Sequence, residues 1–227
     1  MKSQKFKYTI TIAILNFNRV KFLDRAIRSC VTQLLSNKTK EVIVIDDCSN
    51  DRSRELLREM NKVYKGDIKV VYNKKNMGIG YCSRLAVNKS QGKYFMRVDS
   101  DDFLNRHAVD IMADLLENNP KFGFVYCDLI KTDEWGIKQK IVKLNQKNLL
   151  NHGAGVLFRT KFIKKIGNYK TNLREAEDYD LISRLKKICK PFYLPLPLYR
   201  YYMHNDNISK TGDRKEYVKM IKEKKKR

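Results

Sequence analysis

Two short runs of apolar residues, each stopping abruptly on carboxylates, restrict what this chain can fold into more than any other feature. The first is Glu41-Val42-Ile43-Val44-Ile45 before Asp46-Asp47, and the second is Tyr94-Phe95-Met96-Arg97-Val98 before Asp99-Ser100-Asp101-Asp102. Runs this short, without polar alternation, read as parallel strands covered on both faces. Such strands need helices above and below, so strand and helix are expected to alternate along the chain. Thr9–Leu15 branches like a strand, and Val20–Leu35 follows with Phe22, Leu23, Ala26, Ile27, Cys30 and Leu34 at helical spacing. Helices over 54–64, 82–89 and 107–118, strands over 68–72 and 94–98, and a less regular half opening with a strand over 122–130 complete the reading.

In open parallel sheets ligands sit beyond the carboxyl ends of the strands, where both acidic clusters fall. Three carboxylates within Asp99–Asp102 repel one another unless a cation neutralises them. An all-oxygen set of this kind suits Mg2+ or Mn2+; alternatively the cluster is a solvated turn that caps a helix. Asp46-Asp47 has the same two readings: acceptor for a base or ribose hydrogen bond, or helix cap. Glu175-Ala176-Glu177-Asp178-Tyr179-Asp180 opens a third apolar-periodic stretch, and carboxylates favour the first turn of a helix on electrostatic grounds alone. Gly153-Ala154-Gly155 precedes a strand and leaves room for close approach.

The 227 residues suffice for one large domain. Lys and Arg exceed Asp and Glu by 23, which fits nucleic acid, an anionic membrane or phosphate-bearing small molecules without choosing among them. Aromatic strands of the RNA-binding kind and zinc-finger spacings are missing, which argues against nucleic acid as partner. Five widely spaced cysteines without C-x-x-C spacing suggest buried thiols, not disulfides or structural zinc. No run approaches the roughly 20 apolar residues of a membrane span, and the first residues do not read as a signal peptide, so a cytoplasmic location is expected.

The order of motifs resembles the inverting glycosyltransferases of family 2. Phe17-Asn18-Arg19 follows the first strand, Asp46-Asp47-Cys48-Ser49-Asn50-Asp51 the second, and Asn76-Met77-Gly78 the third. Gly92-Lys93-Tyr94 leads to Asp99–Asp102; Glu177-Asp178-Tyr179-Asp180-Leu181 is followed by Arg184 on the same helix; Tyr199-Arg200, His204 and Asn207-Ile208-Ser209 close the series. The resemblance spans residues 9–209. It implies a GT-A fold, a Rossmann-like, mostly parallel sheet flanked by helices in a single domain, with a nucleotide-binding half over 8–105, an acceptor half over 106–209 and a basic tail over 210–227.

It also implies an enzyme that moves a sugar from a nucleotide-sugar donor, a UDP-sugar first, to a hydroxyl of a glycan, polysaccharide or lipid-linked acceptor with inversion. Phe17, Asn18, Asp46, Asp47, Asn76, Gly78, Arg84 and Asp99 would hold the donor, Asp47 reading the base. Asp101, Asp99, Asp102 and His204 would hold Mn2+ or Mg2+, and Asp178 would be the base. Arg84 stands one place later than the family's usual arginine, which loosens its assignment. A silent relative that binds a nucleotide sugar would have lost acidic residues, whereas all three groups are present. In the tail, Tyr217, Met220 and Ile221 are interleaved with lysines ahead of Lys224-Lys225-Lys226-Arg227. This suits either a solubilising end or a peripheral contact with an anionic membrane.

Overall fold

Strand and helix alternate through the first hundred residues because each apolar run needs cover on two faces. The structure, a computed structural model, describes residues 6–145, 149, 153–173, 176–203, 218, 219, 221 and 223. In chain order come β1 (Tyr8–Asn16), α1 (Val20–Val31), β2 (Lys40–Asp46), α2 (Ser53–Val63), β3 (Ile68–Tyr72), α3 (Ile79–Lys89) and β4 (Gly92–Asp99). Then follow β5 (Phe103–Leu104), α4 (Ala108–Asn118), β6 (Phe122–Thr132), β7 (Lys138–Val142), β8 (Val156–Arg159), α5 (Thr160–Lys165), α6 (Glu177–Leu185) and β9 (Lys190–Tyr202).

One sheet runs β3-β2-β1-β4-β8-β6-β9-β5, with β7 paired to β6 at its side. Its first four strands are parallel, as predicted. Beyond β4 it is mixed: β8 runs antiparallel to both β4 and β6, while β9 is parallel to β6. Both halves of the chain therefore share one sheet, and their residues pack into one continuous core. Every residue of β2 from Glu41 to Asp46 is buried, the environment its composition required. α1 lays Leu23, Ala26, Ile27 and Cys30 onto this core. Each such side chain contributes about 1.5–3 kcal/mol when fully buried.

α1 stops at Val31, four residues short of the predicted end. Thr32 turns its amide and its hydroxyl back to the Arg28 carbonyl, and the Leu34 amide donates to the Arg106 carbonyl. A tertiary partner thus replaces the helical one. The cysteines are free thiols, and burial pushes Cys30 and Cys127 up to about 12. Most of the tail lies outside the described residues, but Ile221 is buried against Ala176 and Tyr179, with Val218 and Leu173 packed around them.

At the amino ends of the strands a polar joint locks β1, β2 and β4 together. The Thr11 hydroxyl donates to Glu41 Oε1 at 2.7 Å and accepts the Gly92 amide at 2.9 Å, while Lys69 Nζ reaches Glu41 Oε2 at 2.8 Å. Gly92 is needed here, since a Cβ would overlap the Thr11 amide and lie 2.6 Å from its hydroxyl. Gly92→Ala is expected to force β4 from β1 and to lower the urea midpoint by the equivalent of about 1–3 kcal/mol, with the m-value unchanged.

Candidate functional site

The parallel register brings the acidic clusters to one edge. Asn16 pairs with Asp46 and Leu15 with Asp99, so the ends of β1, β2 and β4 are level. Asp46 is fully buried, with Oδ1 accepting Asn16 Nδ2 (3.0 Å) and Oδ2 accepting both the Ser49 amide (3.2 Å) and Arg54 Nε (2.9 Å). Both oxygens thus tie β1, the loop after β2 and α2 together. Ser49 Oγ accepts the Asn18 amide, and Asn18, at φ 53°, accepts the amides of Asn50 and Asp51. Asp51 caps two helices at once, taking the amides of Val20 and Ser53. The loops after β1 and β2 are therefore one hydrogen-bonded unit, with Phe17 exposed on it.

Asp47 grips the next loop. Oδ1 accepts Asn73 Nδ2 (2.7 Å) and the Met77 amide (2.9 Å), and Oδ2 accepts the Gly78 amide (2.8 Å). Gly78 holds φ 84°, where a side chain would be strained, and leads into α3. Asn76 is exposed at the turn. A carboxylate has about four acceptor sites, so Asp47 keeps room for one further donor.

At the end of β4 the three carboxylates take different surroundings. The Asp99 side chain is about one-third exposed (34%), while that of Asp101 (15%) lies 3.7 Å from Arg19 Nε. Asp102 is turned inward, accepting the Tyr199 hydroxyl (2.8 Å) and the Tyr202 amide (2.9 Å). Burial, with the charges of Asp101 and Asp99, pushes the Asp102 carboxyl well above its ordinary range. Tyr199, pushed up in turn by burial and by Asp102, also accepts the Asp99 amide. Among the described residues no three acidic, histidine or cysteine side chains converge as a ready-made metal cage. Asp102 is the most buried of the three, whereas Asp99 and Asp101 offer hard oxygens nearer to solvent.

A buried guanidinium links this edge to α6. Arg97 Nη1 lies 2.7 Å from Glu177 Oε1, Nη2 lies 2.8 Å from Asp178 Oδ2, and Nε lies 3.3 Å from Asp99 Oδ1. Nη1 also donates to Ser83 Oγ on α3. Against the pull of burial, the charges of Asp178, Asp99 and Glu177 hold Arg97 well above its ordinary value. Burial and the neighbouring Asp178 charge push Glu177 up to about 7. Gly153 backs Asp178 so closely that a Cβ there would overlap the carboxylate.

Arg84, expected to touch the donor, makes contacts within the protein. Its Nη1 donates to the carbonyls of Gly167 (2.9 Å) and Tyr169 (3.0 Å), tying α3 to the segment after α5. His204 and Glu175 lie outside the described residues. Sequence reasoning missed Arg97 as the link between clusters, although a lone arginine inside an apolar strand was the available signal. It also missed Arg25, whose guanidinium reaches the Asp101 carbonyl at 3.4 Å and lies 4.5 Å from the centre of the Phe103 ring.

The family described as "Glycosyl transferase family 2" matches residues 11–174. A protein of Haemophilus influenzae named "Uncharacterized glycosyltransferase" is 25% identical over 94% of this chain and 79% of its own length. Chondroitin synthase of Escherichia coli is 26% identical over 88% of this chain, which spans only 30% of that enzyme. Among solved structures, S. aureus TarS 1-349 in complex with UDP-GlcNAc has a TM-score of 0.77 at 18% identity, covering 94% of this chain and 65% of that one. The mannosyltransferase PcManGT from Pyrobaculum calidifontis, in complex with GDP-Man and Mn2+, has a TM-score of 0.71 at 15% identity, covering 90% and 59%. These likenesses establish the GT-A fold.

Removing one partner from a buried ionic group leaves the others uncompensated and costs about 3–5 kcal/mol. Arg97→Met is therefore expected to lower unfolding free energy by about that amount in urea titrations. Arg97→Lys, which keeps the charge but loses the fork, should fall between it and the native protein.

Proposed function

This chain belongs to glycosyl transferase family 2 and is a transferase, and on that premise we propose how it works. It moves a sugar from a nucleotide-sugar donor, a UDP-sugar first, to a hydroxyl of a glycan, polysaccharide or lipid-linked acceptor, with inversion and with Mn2+ or Mg2+ bound. The observation that carries this reading is the Arg97 bridge, which joins the carboxylates after β4 to Asp178 at the start of α6. A donor site and a base must lie side by side for one displacement, and this contact supplies that adjacency. The nucleotide sugars bound to TarS and PcManGT, and the Mn2+ of the latter, lend support.

On this reading the donor lies across the level ends of β1, β2 and β4, framed by Phe17, Asn18, Asp47, Asn76 and Gly78. Asp47 reads the base through its remaining acceptor site. Asp99 and Asp101 hold the divalent ion, all-oxygen partners as Mg2+ and Mn2+ prefer. Asp102 sits behind them, fixed by Tyr199, and His204 remains a candidate ligand. When bound, the ion supplies positive charge to the departing diphosphate, where electrostatic help is most effective. Asp178 takes the proton of the acceptor hydroxyl as it attacks the anomeric carbon from the opposite face. Arg97 fixes one Asp178 oxygen, and Gly153 keeps the space behind it clear of side-chain atoms. Cytoplasmic placement remains part of this proposal; no helix among the described residues is long and apolar enough to cross a membrane.

Incubation with a panel of nucleotide sugars and acceptors, with and without EDTA, tests the whole reading. Transfer is expected to stop on chelation and to return with Mn2+ or Mg2+, and NMR of the product should show the anomeric configuration opposite to the donor's. Retained configuration, or full turnover in EDTA, would overturn it.

Asp178→Asn keeps the shape but removes the base. Turnover should fall by roughly 10² or more, since a positioned base contributes about 10²–10⁴. Donor affinity by calorimetry should be nearly unchanged.

A further inference from the structure

The hairpin formed by β6 and β7 carries a surface that the transfer reaction does not explain. Its turn, Asp133-Glu134-Trp135-Gly136-Ile137, is firmly built: Asp133 Oδ1 accepts the amides of Trp135 (3.0 Å) and Ile137 (2.9 Å), and Gly136 holds φ 84°. Yet Trp135 is 78% exposed and Ile137 62% exposed. Two large apolar side chains are held out in water by an ordered turn.

The charge around them is arranged with one sign outward. Asp133 is engaged by the turn amides and by Gln139, and Glu134 pairs with Lys21 at 2.5 Å. Among the described residues no carboxylate lies within ion-pair distance of Lys131, Lys138 or Lys140. Lys131 and Lys140 are direct partners across the ladder, a like-charge pair that destabilises a sheet unless an anion lies before it. Lysines on an outer strand also block strand pairing, which accounts for the charges but not for Trp135 and Ile137.

We propose that this hairpin docks on an anionic lipid surface, with Trp135 and Ile137 entering the interface and Lys131, Lys138 and Lys140 facing headgroup phosphates. An indole is suited to that boundary because its ring is apolar and its N–H polar, and basic residues gain from a negative leaflet. A soluble polyanion would satisfy the lysines but leave the two apolar side chains in water. The hairpin is also fastened to the acidic edge: Arg25 donates to the Glu134 carbonyl at 2.8 Å and to the Asp101 carbonyl at 3.4 Å. A docked hairpin would hold that edge close to the lipid surface.

Trp135 is the only tryptophan in the chain, so its emission reports on the hairpin directly. Titrating the full-length protein with phosphatidylcholine vesicles that contain phosphatidylglycerol is expected to shift the emission to the blue, less so at high salt, while pure phosphatidylcholine leaves it in place. Lys138→Glu with Lys140→Glu should weaken co-sedimentation at least roughly tenfold, because each lysine is worth about fivefold near an anionic leaflet. Trp135→Ser should weaken it too, and reversal of Lys224, Lys225 and Lys226 should leave the blue shift intact. The proposal is overturned if the emission does not move. It also fails if vesicle binding depends on the terminal lysines and ignores the hairpin changes, or if dextran sulfate binds through the hairpin while vesicles do not. None of these readouts requires turnover, so they stand apart from the proposed reaction.

Discussion

A guanidinium buried at the end of an apolar strand must find anions, and the anions that Arg97 finds come from two separate stretches of chain. Asp99 belongs to its own strand, while Glu177 and Asp178 open α6 some eighty residues later. Such a group adds little net stability compared with a well-packed apolar alternative, because desolvating four charges offsets most of their attraction. What it does impose is geometry. The planar fork accepts carboxylates at fixed angles, so α6 has little freedom to slide along β4 without breaking hydrogen bonds in a buried place. Ser83 adds α3 to the same arrangement.

Around this bridge, acidic residues that look alike in sequence take three distinct roles. Asp46 and Asp51 are consumed by backbone amides and side chains of the loops and give those loops their shape. Asp102 is buried against Tyr199 and shapes the turn from behind. Asp99 and Asp101 are left nearer to solvent, where a ligand can meet them. The division follows from burial: a carboxylate removed from water needs donors of its own, and the chain supplies tyrosine hydroxyl and backbone N–H where it does so.

The second half of the chain builds outward from the same edge. β9 carries Tyr199 to Asp102, and the turn between β6 and β7 rests on Arg25 beside Phe103. Ile221, from the basic tail, packs on Ala176 and Tyr179 at the start of α6. Elements far apart in sequence thus converge around the acidic residues.

The sequence by itself determined the alternation that builds the parallel half of the sheet, the placement of the acidic clusters at strand ends and the family, while their level alignment came from the register. Val42–Ile45 and Tyr94–Val98, apolar but for Arg97, are short runs that suit covered strands, and period and composition are local properties. Helix α1 shows where this ends: apolar spacing continues to Leu34, but the Arg106 carbonyl, supplied by a distant segment, takes the Leu34 amide. Only the tertiary structure decided which aspartates turn inward, why Arg84 serves the Gly167 and Tyr169 carbonyls, and that Arg97 joins Asp99 to Asp178. Those outcomes depend on which donors arrive from other parts of the chain, and sequence spacing holds no record of partners brought together by folding.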